Sequence, residues 1–242
     1  MKKIISFSLW GNNPKYTVGA IRNAELALKI YPDWICRFYT GNSVPTEIIH
    51  KLQSFENTEI ITMGIEGDWQ SMFWRFYACE DAEIMISRDT DSRLSPREKE
   101  AVDEWLASNL NFHIMRDHPF HATEIPGGMW GCRNQILKNI ILEISDFNKK
   151  NLWQIDQIFL REIIYPKIIQ QAFIHDEYHN YESDKRTFPS ARIKLAFVGE
   201  AFDENEHKSL FLRLLLPIGK IISLVSRNVG LTKKIGSRFL SK

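Results

Sequence analysis

The stretch that decides the fold is Glu83–Arg93, EIMISRDTDSR. Its apolar part, Ile84–Ile86, predicts a short buried strand, and the carboxylates of Asp89 and Asp91 follow it with one residue between them. In extended chain, residues i and i+2 point the same way, and α/β sheets bind ligands at the carboxyl ends of strands. The pattern therefore predicts that both carboxylates face one Mg²⁺ or Mn²⁺ ion, with positions open for diphosphate oxygens. The alternative is a solvated turn.

Length and composition fit one α/β domain. The chain has 242 residues, of which 44% are hydrophobic and 25% charged, and its formal net charge of +1 is a poor match for nucleic acid. Cys36, Cys79 and Cys132 are far apart, which argues against a disulfide framework or a zinc site and favours a reducing compartment. Two serines interrupt the apolar start, so a first strand is favoured over a signal peptide. We therefore expect a cytoplasmic protein.

Strands and helices alternate along the chain. Before residue 83 the hydrophobic pattern predicts strands over 4–10, 34–40 and 59–63 and helices over 16–30, 46–55 and 68–78. After residue 93 it predicts helices over 95–108, 135–147 and 152–165 and strands over 112–115 and 173–176. Residues 196–204 are predicted to form a strand followed by a surface turn. This alternation is typical of an α/β fold.

The arrangement resembles the nucleotide-sugar glycosyltransferases of the GT-A type. The resemblance is carried by Ile84–Asp91, a strand followed by Asp-x-Asp, and extends as a pattern over roughly the first 200 residues. It implies a Rossmann-like mixed sheet flanked by helices, in which Asp89 and Asp91 hold the donor diphosphate through Mn²⁺ or Mg²⁺. In this family the loop after the first strand contacts the nucleotide, which implies donor contacts for Asn12 and Tyr16. Either residue can instead belong to an ordinary surface turn.

Three arginines lie near the acidic pair in sequence. The resemblance implies that Arg75, on the helix before the metal-binding strand, contacts the donor phosphates. Arg88 and Arg93 flank the two aspartates. They either contact the donor phosphates, or an acidic sugar, or simply balance the charge of the carboxylates.

A glycine-rich segment, residues 125–134 (IPGGMWGCRN), is the second notable stretch. Glycines allow close backbone approach, and Trp130 looks exposed, so its ring can stack on a sugar. The resemblance implies that this segment lines the donor sugar and the acceptor. Gly127 and Gly128 are therefore predicted donor contacts, and Trp130 is a predicted acceptor contact.

Two further positions are predicted to carry catalytic carboxylates. Asp117 and His118 follow a strand, on the same rim of the sheet as Asp89, where Asp117 can supply a base and His118 can bind sugar hydroxyls. They can equally be hydrogen-bonded loop residues. Asp156 opens an apolar helix, which resembles the acidic segment beneath the acceptor site of GT-A enzymes. A carboxylate in the first turn is also what helix capping and the helix dipole favour.

His175 is a third predicted metal ligand. In retaining members of the resembled family a late histidine completes the ligand set, and His175 is the best positional match in this chain. A lone histidine can equally have a structural role.

The C-terminal segment differs in composition. No acidic residue follows Glu206, and apolar runs alternate with eight basic residues, Lys208, Arg213, Lys220, Arg227, Lys233, Lys234, Arg238 and Lys242. The apolar runs are too interrupted to span a bilayer, so residues 207–242 are predicted to lie in the interface of an anionic membrane, after a catalytic domain over 1–206. The alternative is a helix packed on the domain or on a second copy of the chain.

These features predict a metal-dependent, hexosyltransferase-like enzyme on the inner face of a cell membrane. It would transfer a sugar from a nucleotide-sugar donor to a lipid-linked capsule, O-antigen or lipooligosaccharide acceptor. The rival enzyme class is the haloacid-dehalogenase-like phosphatases, which carry Asp-x-Asp near the start of the domain with Thr or Val two residues after the second Asp, where Arg93 stands here. A third possibility is a membrane-associated sugar-binding protein without turnover.

Overall fold

In the computed structural model, which describes residues 2–147 and 153–219, the strands form one mixed sheet. The strands of this sheet are β1 (Lys3–Leu9), β2 (Ile35–Thr40), β3 (Thr58–Thr62), β4 (Ile84–Ser87), β5 (Phe112–Arg116), β6 (Trp130–Arg133) and β7 (Ala172–Asp176). Their order is β3-β2-β1-β4-β6-β5-β7. The first four run parallel, β6 runs antiparallel to β4 and β5, and β7 is parallel to β5. The predicted mixed α/β sheet is confirmed.

The central strands β1 and β4 fix where a ligand can bind. The chain first runs outward from β1 through β2 to β3 and then returns to place β4 on the other side of β1. This reversal is the topological switch point of an α/β sheet, where a crevice opens beyond the carboxyl ends of the strands. Asn12 follows β1 and Asp89 follows β4, so parallel pairing brings their loops to the same edge.

Helices cover both faces of the sheet. The helices are α1 (Pro14–Ile30), α2 (Thr46–Gln53), a 3₁₀ helix (Trp69–Glu80), α3 (Pro96–Ala107), α4 (Ile140–Phe147), α5 (Ile155–Phe159), α6 (Tyr165–Ile168) and α7 (Leu210–Leu214). A π-helical turn, Leu160–Ile164, connects α5 to α6. Alternate β1 side chains point to opposite faces, so Ile5 packs beneath α1 and α3 while Ile4 joins a cluster containing Phe73 and Phe159.

Strand β6 lies within the glycine-rich segment and includes Trp130, which was predicted to be exposed. It lies between β4 and β5, and Gly131 is needed there because a Cβ would lie 2.7 Å from the carbonyl oxygen of Met85. Trp130 is fully buried, with its ring centroid 5.3 Å from that of Phe76. The prediction of an exposed, sugar-stacking Trp130 is therefore wrong.

The start of the predicted membrane segment packs on the domain. Arg213 in α7 donates two hydrogen bonds to Glu200, at 2.5 and 2.6 Å, and both side chains are buried. Leu216 packs with Tyr178 and Phe197. Packing thus continues beyond the predicted boundary after Glu206. The remaining residues of that segment, 220–242, lie outside the described residues.

Two further sequence-based expectations can be compared with the fold. Of the strand and surface turn expected over 196–204, the described chain forms turns with isolated bridges such as Ser92 to Ala201, and no regular strand. Among the described residues, no helix is long and apolar enough to cross a bilayer.

Candidate active site

A cluster of charged side chains lies at the carboxyl end of β4. The central residue is Arg75 on the 3₁₀ helix, whose backbone N–H donates to Ser8 Oγ in β1 at 2.9 Å. Its guanidinium donates to Asp89 and, at 2.6 Å, to Oδ2 of Asp156. Arg75 is 4% exposed, so one buried cation joins the loop after β4 to the first turn of α5.

Asp156 is held with one carboxylate oxygen unused. Gln154, two residues before Asp156, adopts a left-handed conformation (φ 60°), which turns the chain sharply into α5. Asp156 is fully buried, and in the described chain its Oδ1 has no partner at hydrogen-bonding geometry. Burial raises its pKa, whereas the nearby Arg75 opposes that shift. A buried carboxylate with a free oxygen can accept a proton or stabilise developing positive charge.

The second aspartate of the motif pairs with a lysine that the sequence analysis did not select. Lys15 Nζ lies 2.7 Å from Asp91 Oδ2. Burial alone would lower the pKa of Lys15, but the charge and hydrogen bond of Asp91 more than offset this, and the pKa is raised. Burial raises the pKa of Asp91, Lys15 opposes this, and the charge of Asp89 raises it further. Lys15 lies between the predicted donor contacts Asn12 and Tyr16, and this position is the sequence signal by which it could have been predicted as a site residue.

Neighbouring side chains fix the loop that carries both aspartates. Asn23 of α1 donates to Ser92 O at 2.8 Å and accepts from the backbone N–H of Leu94 at 3.0 Å. Arg93 donates to the same Ser92 oxygen at 3.0 Å and to Glu206 at 2.8 Å. Arg93 therefore braces the loop backbone, and its charge also favours the ionised form of Asp91, in agreement with the charge-balancing alternative.

The glycines of the 125–134 segment are needed at the site. A Cβ on Gly128 would lie 2.0 Å from Oδ2 of Asp89, and one on Gly127 would lie 2.6 Å from both Arg75 Nη2 and Asp156 Oδ2. Any side chain at either position would therefore displace the charged cluster. The structure brings these two glycines together with the predicted residues Arg75, Asp89 and Asp156.

The motif suits a hard divalent cation that takes part of its coordination shell from substrate. Among the described residues, no group of three or more His, Cys, Asp or Glu side chains is arranged to hold a metal. Mg²⁺ is commonly bound by one or two carboxylates together with substrate phosphates and water. Asp89 and Asp91 fit that pattern, although each is paired with a cation in this structure.

His175 has no place in this candidate metal site. It lies on the edge strand β7, separated from β4 by β5 and β6. Its Nδ1 is 2.8 Å from His113 Nε2, and its Nε2 is 3.0 Å from Glu104. The predicted third ligand is thus a buried structural histidine with both ring nitrogens occupied.

Arg88 also differs from its predicted role as a donor contact. Its side chain turns away from the aspartates, is 2% exposed, and donates to Glu98 at 2.6 Å and to Ser87 O at 2.6 Å. A buried guanidinium needs such partners. Charge compensation inside the domain therefore accounts for Arg88.

Asp117 is a structural residue and not a free base. It is fully buried, accepts two hydrogen bonds from Arg97 at 2.9 Å, and accepts one from Arg192 at 2.5 Å. The backbone N–H of Val198 donates to it as well, at 2.9 Å. With these partners Asp117 does not fit the catalytic role that the sequence suggested.

His118 is likewise used inside the fold. Its Nδ1 accepts from the backbone N–H of Phe120 at 3.1 Å, so Nε2 carries the proton and donates to Leu212 O at 2.9 Å. Burial lowers the pKa of His118 to about 4. The residue predicted to bind acceptor hydroxyls instead links the β5 loop to α7 as a neutral imidazole.

Comparisons with known proteins agree with the fold. No family model matches the chain, and no curated protein matches it in sequence. S. aureus TarS superposes with a TM-score of 0.51 at 11% identity, covering 78% of this chain and 59% of that chain. The TarS structure in complex with UDP gives 0.50 at 10% identity, with the same coverage of 78% and 59%. The glycosyltransferase involved in glycosylation of the major capsid of PBCV-1 gives 0.49 at 16% identity, covering 74% and 84%.

The fold is that of the GT-A glycosyltransferases. The mixed sheet and its flanking helices agree with the TarS structures. Identities this low relate the folds and do not assign a reaction. This chain spans 59% of the length of the TarS chain that it matches.

The neutral state of His118 predicts a pH-dependent stability. Its folded pKa of about 4 lies below the value of about 6.5 for an unfolded histidine, so protonation favours the unfolded chain. This contribution to the free energy of unfolding amounts to about 3 kcal/mol and is fully present above about pH 7. It is lost as the pH falls from about 6.5 toward 4. Urea unfolding of His118→Gln should therefore show a shallower loss of stability over this range than the wild type. The exposed His50→Gln is the control, and equal slopes for wild type and His118→Gln would contradict the assignment.

Proposed function

We propose that this protein is a metal-dependent glycosyltransferase that transfers a sugar from a nucleotide-sugar donor to a glycan acceptor. The observation that carries the proposal is the contact of Arg75 with both Asp89 and Asp156 beside Gly127 and Gly128, at the carboxyl end of β4. This places a cation, a candidate metal-binding carboxylate and a second buried carboxylate at the switch point of a GT-A sheet. Such a combination suits departure of a diphosphate from a sugar.

Each residue of the cluster has a distinct proposed role. A divalent ion bound at Asp89 and Asp91 would supply charge neutralisation for the diphosphate. Arg75 would bind the donor phosphates as well, since a guanidinium has donors for more than one acceptor. Asn12 and Tyr16 lie at the neighbouring loop, with Tyr16 36% exposed, where a nucleotide can reach them.

Asp156 is the proposed catalytic carboxylate. Its buried position beneath the Gly127 backbone suits a sugar bound over the glycines. There the carboxylate can stabilise positive charge on the sugar ring or orient the acceptor hydroxyl and accept its proton. Arg75 favours the charged form of this carboxylate, opposing the rise in its pKa that burial causes.

The nature of the donor is the finer part of the proposal. The TarS structure with UDP supports a uridine diphosphate sugar as the first donor to test, since its fold is similar. A surface glycan such as a capsule, O-antigen or lipooligosaccharide chain, linked to lipid, is the proposed acceptor. The phosphatase alternative finds less support, because its motif belongs near the start of the domain and Asp89 follows the fourth strand here.

Product analysis with a panel of nucleotide sugars, with Mn²⁺ or Mg²⁺, tests the proposal. We expect sugar transfer by the wild type, and a loss on the order of 10²–10⁴-fold in Asp156→Asn with UDP binding retained. Asp103→Asn, on the exposed face of α3, is the matched control and should keep full activity. Free phosphate as the product would indicate the phosphatase class. Nucleotide binding without product would indicate a sugar-binding protein, and full activity in Asp156→Asn would remove that residue from the mechanism.

We further propose that the C-terminal segment attaches the enzyme to the inner face of the cell membrane. Leu210 and Leu214 of α7 and the nearby Ile218 are exposed apolar side chains, spaced four residues apart in sequence. Arg213 is removed from the predicted set of membrane-facing cations because it pairs with Glu200. Six of the remaining basic residues follow Gly219, with no acidic residue among them. Basic and apolar side chains together suit an anionic bilayer surface.

Vesicle sedimentation can test this attachment. A chain ending at Gly219 keeps the Arg213–Glu200 pair but loses six cations, each contributing on the order of 1 kcal/mol near an anionic surface. We expect it to bind anionic vesicles much more weakly than the full chain and to use a soluble acceptor equally well. Leu142→Ser on α4, which removes another exposed apolar side chain, is the control for nonspecific hydrophobic binding to vesicles. Equal binding of the full and shortened chains would contradict the proposal.

A further inference from the structure

The two candidate metal-binding carboxylates are each paired with a cation of the chain itself. Arg75 contacts Asp89, and Lys15 lies 2.7 Å from Asp91. The charge of Asp89 acts on both Asp91 and Asp156, so the three carboxylates are close enough to repel one another. Without nearby cations their mutual repulsion would be unfavourable. A divalent ion at the motif must therefore compete with cations that already neutralise it.

The two cations are not equally replaceable. Arg75 is 4% exposed, its guanidinium also binds Asp156, and its backbone is held by Ser8. Lys15 has Asp91 as its only carboxylate within ion-pair distance among the described residues, and the side chain is 24% exposed. A lysine ammonium on a flexible four-carbon stem can change partners more easily than a doubly bound guanidinium. Lys15 is therefore the cation that a metal can displace.

A displaced Lys15 would remain close to the proposed donor phosphates. It is the second residue of α1, a 17-residue helix with no acidic residue in its first turn. The helix begins in the loop after β1, beside the aspartate loop after β4, because β1 and β4 are paired neighbours. A diphosphate bound to a metal at Asp91 thus lies within reach of the Lys15 ammonium.

We propose that Lys15 is an exchangeable counter-cation, which occupies Asp91 in the free protein and moves to the donor diphosphate when a divalent metal takes its place. This inference rests on the proposed function. Metal alone would have to break the Lys15–Asp91 pair without giving Lys15 a new partner. When metal and nucleotide bind together, the Lys15 ammonium can pair with the donor phosphates instead of Asp91. Lys15 therefore adds to the cooperativity that direct contact between metal and diphosphate provides, and the coupling is the same from either ligand.

Calorimetric titration of the full chain with Mn²⁺, with and without UDP, tests the inference. In the wild type we expect UDP to tighten Mn²⁺ binding by a factor of about 5–150. Lys15→Met should bind Mn²⁺ alone at least about fivefold more tightly than the wild type, and UDP should tighten its Mn²⁺ binding less than in the wild type, because only the direct contact between metal and diphosphate remains. Lys15→Arg keeps the cation and should resemble the wild type. Lys99→Met is the matched control, because Lys99 is similarly exposed and pairs with Asp103 away from the site.

The outcomes separate this inference from the proposed function. Unchanged Mn²⁺ affinity and unchanged coupling in Lys15→Met would overturn the role of Lys15 while leaving the metal site in place. Absence of Mn²⁺ binding in every protein, even with UDP, would overturn both the metal site and the role of Lys15. Tighter binding by Lys99→Met as well would show a general charge effect and would also overturn the inference.

Discussion

The contact of the buried Arg75 guanidinium with Asp89 and Asp156 is the interaction on which the candidate site depends. It joins residues 14 and 81 positions apart in sequence, on three separate elements. A buried guanidinium is tolerable only when it is paired, and so are the carboxylates around it. Loss of the cation would leave Asp156 buried and unpaired. The contact therefore positions the reacting groups and holds the 3₁₀ helix, the β4 loop and α5 together.

This arrangement concentrates charge that a stable core would avoid. The backbone of Gly127 and Gly128 approaches the cluster so closely that no side chain fits there. The aspartate loop is held by Asn23 and Arg93 instead of by a regular element. Sites that bind charged ligands commonly combine like charges, burial and irregular backbone in this way. The rest of the domain supplies the apolar packing that makes the arrangement tolerable.

Sequence patterns predicted the part of the site that depends on short-range order along strands and helices. The buried strand before Asp89 fixes the edge of the sheet at which the motif lies, and Arg75 and Asp156 come to it on elements predicted as helices. Contacts between distant residues were not predictable. Asp117, for example, was predicted to lie at the rim of the sheet with a carboxylate available as a base, whereas Arg97 and Arg192 donate hydrogen bonds to it. Trp130 was misjudged because β6 is only four residues long and begins one residue after the glycine pair Gly127-Gly128.

The central claim is that Asp89 and Asp91 bind a divalent metal together with a nucleoside diphosphate. The most direct measurement is anomalous scattering from crystals of the full chain grown with Mn²⁺ and UDP. We expect an anomalous peak in contact with the carboxylates of Asp89 and Asp91 and with diphosphate oxygens, at the carboxyl ends of β1 and β4. A diphosphate bound there with Lys15 still on Asp91 and no metal peak would contradict it.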